Sequence, residues 1–163
     1  MTLVVLSWIF AIPLLGGLTG LRAMTPMAVL CWFAYLGDLG LHRHSWAFWT
    51  TKLVTAIVFT VLAAGELVGD KLPQTPNRTD LFPLLARAAF GGLVGAICAT
   101  TLHGAAVEGI VLGSIGAVAG AFVGFYLRQA ATRSWGVPKL AAALTEDVLT
   151  IGLSILALGI VTG

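Results

Sequence analysis

The chain has 163 residues, 58% of them hydrophobic and 20 of them glycine, with only nine basic and seven acidic side chains, and its mean hydropathy is +0.98. This composition excludes an ordinary water-soluble domain and indicates one integral membrane domain over residues 1–163. The formal net charge of +2 comes from scattered residues and forms no patch able to track a nucleic-acid backbone. No nucleic acid is expected as a partner, and membrane lipids are.

At roughly 20 residues per spanning helix, the length holds about five or six spans and leaves no room for a soluble catalytic domain. The first apolar run, TLVVLSWIFAIPLLGGLTG, follows Met1 without a basic stretch and has no small-residue cleavage site before Arg22, so it is expected to be retained as the first span. Six apolar segments follow in order, at about 3–20, 25–41, 50–69, 81–102, 109–127 and 140–162. They predict an all-α polytopic transmembrane bundle. The second segment is the weakest, with Pro26 near its start and Asp38 near its end, so a re-entrant element in a five-span bundle competes with a full crossing. Continuous apolar runs without alternation exclude a β-barrel.

In the six-span arrangement Arg22, Lys71, Arg78, Arg128, Arg133 and Lys139 fall on one side, and Arg43 and Lys52 on the other. The positive-inside bias then places both termini outside and the basic loops in the cytoplasm, in a bacterial inner membrane. Trp46, Trp49 and Trp135 lie near span ends and suit interfacial anchoring, while Trp8 and Trp32 suit packing between helices or against lipid. Cys31 and Cys98 sit in separate apolar runs and read as packing residues.

Gly91 and Gly95, then Gly109, Gly113, Gly116, Gly120 and Gly124, recur at steps of three or four. Such a stripe lets helix backbones approach closely, within one chain or between copies in a homo-oligomer. Ionisable residues within spans are costly unless they face a cavity or a partner, which singles out Arg22, Glu66, Asp70, Arg87, Glu146 and Asp147. Glu66 and Asp70 share one helix face and repel unless a cation, a proton or an arginine joins them; Arg87 is one candidate partner. All six residues fall toward one membrane side, which predicts a polar cluster that serves either as an ion path or as a structural ion-pair network. The carboxylate excess favours a small cation or proton, although paired arginines equally suit a phosphate or carboxylate.

The connection KLPQTPNRT, with Lys71, Pro73, Pro76, Asn77 and Arg78, reads as a rigid turn that can also rim an entrance. Asp38, His42, Arg43, His44, His103 and Glu108 lie at the opposite surface. The histidine spacing alone does not specify a metal site, and no metal or other cofactor is assigned.

GLRAMTPMAV at 20–29, GELVGDKLPQTPNRT at 65–79 followed by Arg87, the small-residue-rich fourth and fifth spans, and LTEDVLTIG at 144–152 together resemble the DUF4126 family of small bacterial membrane proteins. The likeness runs from about residue 15 to 160. It implies a compact multi-span protein, names no substrate, and maps the family's signature onto Glu66, Asp70, Pro73, Pro76, Arg78, Arg87, Glu146 and Asp147. The leading expectation is therefore a small transporter or channel for an ion or polar solute, and the alternative is a structural, accessory or lipid-binding subunit. A metal-dependent enzyme acting on lipid phosphates ranks below both, because no nucleophile–base constellation or dense aspartate motif is present.

Overall fold

Apolar runs without a polar face become helices that bury their backbone hydrogen bonds internally, as a bilayer requires. The computed structural model describes residues 2–69, 80–133 and 136–163. Their secondary structure is all helical: α1 (Thr2–Leu6), a π-helical turn (Ser7–Ala11), α2 (Ile12–Leu21), α3 (Thr25–Leu36), a 3-10 helix (Trp46–Thr51), α4 (Leu53–Gly69), α5 (Leu81–Thr101), α6 (Ala106–Arg133) and α7 (Lys139–Thr162). Among the described residues, four stretches are long and apolar enough to cross a membrane: Val4–Leu21, Leu81–Thr101, Ala106–Arg133 and Leu140–Thr162. Two shorter apolar helices, α3 and α4, complete the bundle.

The π-helical turn has a local cause. Pro13 has no N–H with which to continue the ladder, and the N–H of Ile12 reaches back five residues to the carbonyl of Ser7. The backbone stays right-handed helical through this junction, so α1, the π turn and α2 form one continuous rod.

The segment expected to be helical over 25–41 stops at Leu36. Gly37 adopts φ +93°, and the N–H groups of Gly37 and Asp38 close on the carbonyls of Ala34 and Phe33 in a Schellman cap. At 1.5 Å per residue α3 is about 18 Å long, short of the roughly 30 Å hydrocarbon core, and the described part of α4 is about 26 Å. The chain nonetheless reaches the far end of the bundle after α3, because the Trp46 indole donates to Thr100 Oγ1 near the end of α5, at 3.1 Å.

Cross-helix contacts fix the helix directions. Ser7 Oγ donates to the Ile160 carbonyl while Arg22 meets Asp147, so the N-terminal rod and α7 are antiparallel. Trp32 bonds Thr60, and the backbone before α3 bonds Glu66, so α3 and α4 are antiparallel as well.

Glycine sets the closest approaches. A methyl group built at Gly95 would fall on the Gly109 carbonyl, and one at Gly113 on the carbonyl of Gly91, which makes α5 and α6 a backbone-to-backbone hairpin. The other side of α6 meets α2 in the same manner: Gly116 lies against Pro13, and Gly120 against Gly17. Gly124 is buried further along α6. Around this glycine-lined centre pack Ile12, Leu15, Met27, Leu30, Ile97 and Leu158, all fully buried. Val54, Val61, Val148 and Leu156 point outward with 64–72% of their surface exposed, which is the expected face toward lipid.

Candidate functional site

Three helix ends and one helix interior bring charge to the same end of the bundle. Arg22 is the C-cap of α2, Glu66 lies in the last turns of α4, Arg87 sits early in α5, and Asp147 lies on the first third of α7. The antiparallel pairing of the N-terminal rod with α7 and of α3 with α4 is what carries these distant positions together.

Arg22 is fully buried, and its guanidinium lies 2.5 Å from the Asp147 carboxylate, itself 6% exposed. In a low-dielectric setting such a pair holds because each charge offsets the desolvation cost of the other. Glu66 does something different. Its two carboxylate oxygens accept hydrogen bonds from the backbone N–H groups of Ala23 and Met24, at 2.8 and 2.9 Å. Those donors precede the first turn of α3, where unpaired N–H groups and the helix dipole favour a negative charge. The carboxylate thus serves as a cap supplied by another helix, and it pins the α2–α3 elbow to the end of α4. Arg87, 6% exposed, places its guanidinium 3.8 Å from the same carboxylate. Arg22, Ala23 and Met24 are consecutive, so the two pairs meet across three residues of one elbow.

Of the residues singled out in the sequence, Arg22, Glu66, Arg87 and Asp147 come together here. Glu146 is half-buried beside Asp147 and is engaged in an interaction of its own. Asp70, Lys71, Pro73, Pro76, Asn77 and Arg78, together with Trp135, lie outside the described residues. At the other end Asp38, His42, Arg43, His44, His103 and Glu108 are exposed. Among the described residues no three His, Cys, Asp or Glu side chains group as a metal site. Trp8 packs on the turn at Gly104, and Trp32 is partly exposed while donating to Thr60.

Sequence reasoning missed three features. Gly16, Gly17 and Gly20 of α2 form the surface that meets α6, and their spacing in PLLGGLTG was the available signal. The capping role of Glu66 had no signal, because its acceptor sites are filled by main-chain groups more than 40 residues away. Thr25 and Ser154 carry buried hydroxyls, and nothing in their local sequence sets them apart.

No curated protein and no solved structure shows significant similarity to the chain. Residues 9–160 match the family described as "Domain of unknown function (DUF4126)". That match covers nearly the whole length and every charged residue of the cluster, and the chain belongs to the DUF4126 family.

Proposed function

We propose that the protein is a small transporter or channel that moves a small ion or polar solute past the charged cluster at the α2–α3 elbow. The observation that carries this reading is the placement of full charges from α2, α4, α5 and α7 at one level of a membrane bundle. Ionisable groups in such positions are costly, and within a membrane they mark ion and substrate paths as the default reading. In this reading the chain crosses six times, with α3 and the residues up to Trp46 making the second crossing. Both termini lie outside, the cluster faces the cytoplasm across a bacterial inner membrane, and the protein works as a homo-oligomer without a cofactor.

The test is flux into proteoliposomes for the wild type, Glu66→Gln and Glu146→Gln, each checked for assembly by size-exclusion chromatography. Flux in the wild type that is lost in assembled variants supports the reading. Loss of flux that merely tracks loss of assembled protein counts against it. The protein is not an enzyme in this reading, and metal-dependent turnover of a lipid phosphate by the purified protein would overturn that.

A second reading, a structural or accessory subunit, draws on the full burial of Arg22 against Asp147. Stoichiometric co-purification of a foreign membrane subunit favours it over transport.

A further inference from the structure

An apolar groove runs along the outward side of the α5–α6 hairpin and encloses about 450 Å³. Ala89, Gly92 and Ala96 of α5 form one wall, and Ala106, Ile110 and Ser114 of α6 the other. Both sets recur every three or four positions, so the groove follows the two helices lengthwise. A methyl group at Gly92 would meet Ser114 Oγ at 2.6 Å, so the helices touch at its floor.

Trp46 closes one end. Its indole N–H donates to Thr100 Oγ1 at 3.1 Å, and Thr100 donates to the Ala96 carbonyl at 2.8 Å. That chain of bonds holds the ring beside Ala96, although half of the residue's surface is exposed. The Ser114 hydroxyl is likewise engaged, donating to the Ala88 carbonyl at 3.0 Å. With these polar groups already paired, the groove offers an occupant apolar surface.

Length and width select that occupant. At 1.5 Å per residue α5 extends about 31 Å, the thickness of the hydrocarbon core. Thr100 stands at its end and Ala89 about 16 Å deeper. The groove thus starts at a tryptophan placed for the interface and stops near mid-membrane, which is the reach of one leaflet. Its volume spread over the roughly 11 Å from Ala89 to Ala96 gives a cross-section of about 40 Å², against about 80–110 Å² for a helix 10–12 Å wide. A whole helix cannot enter it, and an extended hydrocarbon chain can. Left empty, the walls would forfeit their dispersion contacts.

Charge at the mouth selects the headgroup. The N–H of Ser45 bonds the His42 carbonyl at 2.9 Å and closes a turn that carries Arg43 and His44, both exposed, just before Trp46. Exposed Lys52 follows the 3-10 helix that Trp46 begins. The acidic residues of this end are Asp38, in the turn after α3, and Glu108, which two residues from Ala106 falls on a different face of α6.

We propose that this groove is a binding site for an anionic phospholipid, with an acyl chain laid between α5 and α6 and the phosphate at the Arg43 turn. The site lies at the opposite end of the bundle from the charged cluster and is separate from it. Because lipid tails are as apolar as the groove, its selectivity comes from shape and from the charge-assisted hydrogen bonds of Arg43 to phosphate.

The test uses the full chain in vesicles of mixed phosphatidylcholine and phosphatidylglycerol, with a trace of phosphatidylglycerol bearing a photoreactive group at the end of one acyl chain. Labelled peptides are read by mass spectrometry after irradiation. Labels should concentrate around Ala89 and Ser114. The same probe built on phosphatidylcholine should label there about tenfold less, and Arg43→Gln should abolish the difference. Ala89→Leu fills the inner end from an exposed position, and should cut groove labelling about tenfold while leaving labels near Val148 of α7 unchanged. Wild-type labelling no denser at the groove than near exposed Val148 and Leu156 would mark an ordinary lipid-facing surface and overturn the proposal. An unlabelled groove in a wild-type oligomer that Ala89→Leu splits would assign the groove to a second copy and overturn it too. Equal labelling by the two probes would overturn the choice of an anionic headgroup.

Discussion

Arg22 and Asp147 neutralise each other inside the bundle, joining the C-terminal end of α2 to α7 through a pair in which the arginine is fully buried. Removing one partner takes away the charge that offsets the other's burial. Asp147→Ala should therefore cost about 3–5 kcal/mol, seen as a large drop in melting temperature in detergent. Replacing both residues, Arg22→Met with Asp147→Leu, should recover most of that loss, because apolar packing substitutes well for a buried ion pair. If the proposed transport holds, this stable double variant still fails to move its ion.

Glu66 makes a separate prediction through its two backbone hydrogen bonds. Glu66→Ala leaves the N–H groups of Ala23 and Met24 without their acceptor, at about 1–3 kcal/mol for each group left unsatisfied. Glu66→Gln retains one carbonyl oxygen and should lose clearly less. Arg87→Gln, whose partner lies 3.8 Å away, should cost less than Glu66→Ala. The order of the three melting temperatures checks the capping role, and equal losses for Ala and Gln at position 66 would refute it.

The glycines separate into two classes with opposite expected outcomes. Gly95→Ala and Gly109→Ala press a methyl group onto a facing backbone carbonyl, which cannot rotate away, so each should destabilise by about 1–3 kcal/mol or force α5 and α6 apart. Gly152 of α7 and Gly65 of α4 have nothing near the position of an added methyl. Alanine there should be neutral or stabilise by up to about 1 kcal/mol through helix propensity. Melting curves of the four variants, measured side by side, decide the matter.

Cys31 and Cys98 are fully buried. A maleimide should leave both untouched in the native protein and label both after denaturation. A cysteine-free background, with Cys31→Ala and Cys98→Ala, then permits a topology test: Arg43→Cys and Arg128→Cys should react with an impermeant reagent from opposite membrane sides. With the N-terminus outside, Arg43→Cys should label from outside and Arg128→Cys from the cytoplasmic side; the reverse assignment would show that the stretch from α3 to Trp46 does not cross.

The helical bundle was legible because hydropathy and length report directly on what a bilayer accepts. The members of the cluster were legible for the same reason, since a charge within an apolar run is conspicuous. Their pairing was not. Nothing in the sequence says that α2 lies beside α7 rather than α3, so Arg22 had no assigned partner, and Arg87 was only one candidate for the Glu66 and Asp70 pair. The early end of α3 had a signal in Gly37, a C-terminal cap that an average over a hydropathy window conceals. The stripe on α6 was visible, but its sides serve different neighbours, and only the fold gives Gly109 to α5, Gly116 and Gly120 to α2, and Gly113 to both.

The Arg22–Asp147 pair also governs how the protein is made. Its two members are about 125 residues apart in the chain, so at a synthesis rate of about 5–20 residues per second the arginine leaves the ribosome roughly 6–25 s before its counter-charge exists. During that interval the α2–α3 hairpin carries its arginine without the Asp147 carboxylate. α7, made long after α2, brings the Asp147 carboxylate to the arginine at the end of α2. A nascent chain truncated before residue 139 should therefore be a preferred substrate for membrane quality control.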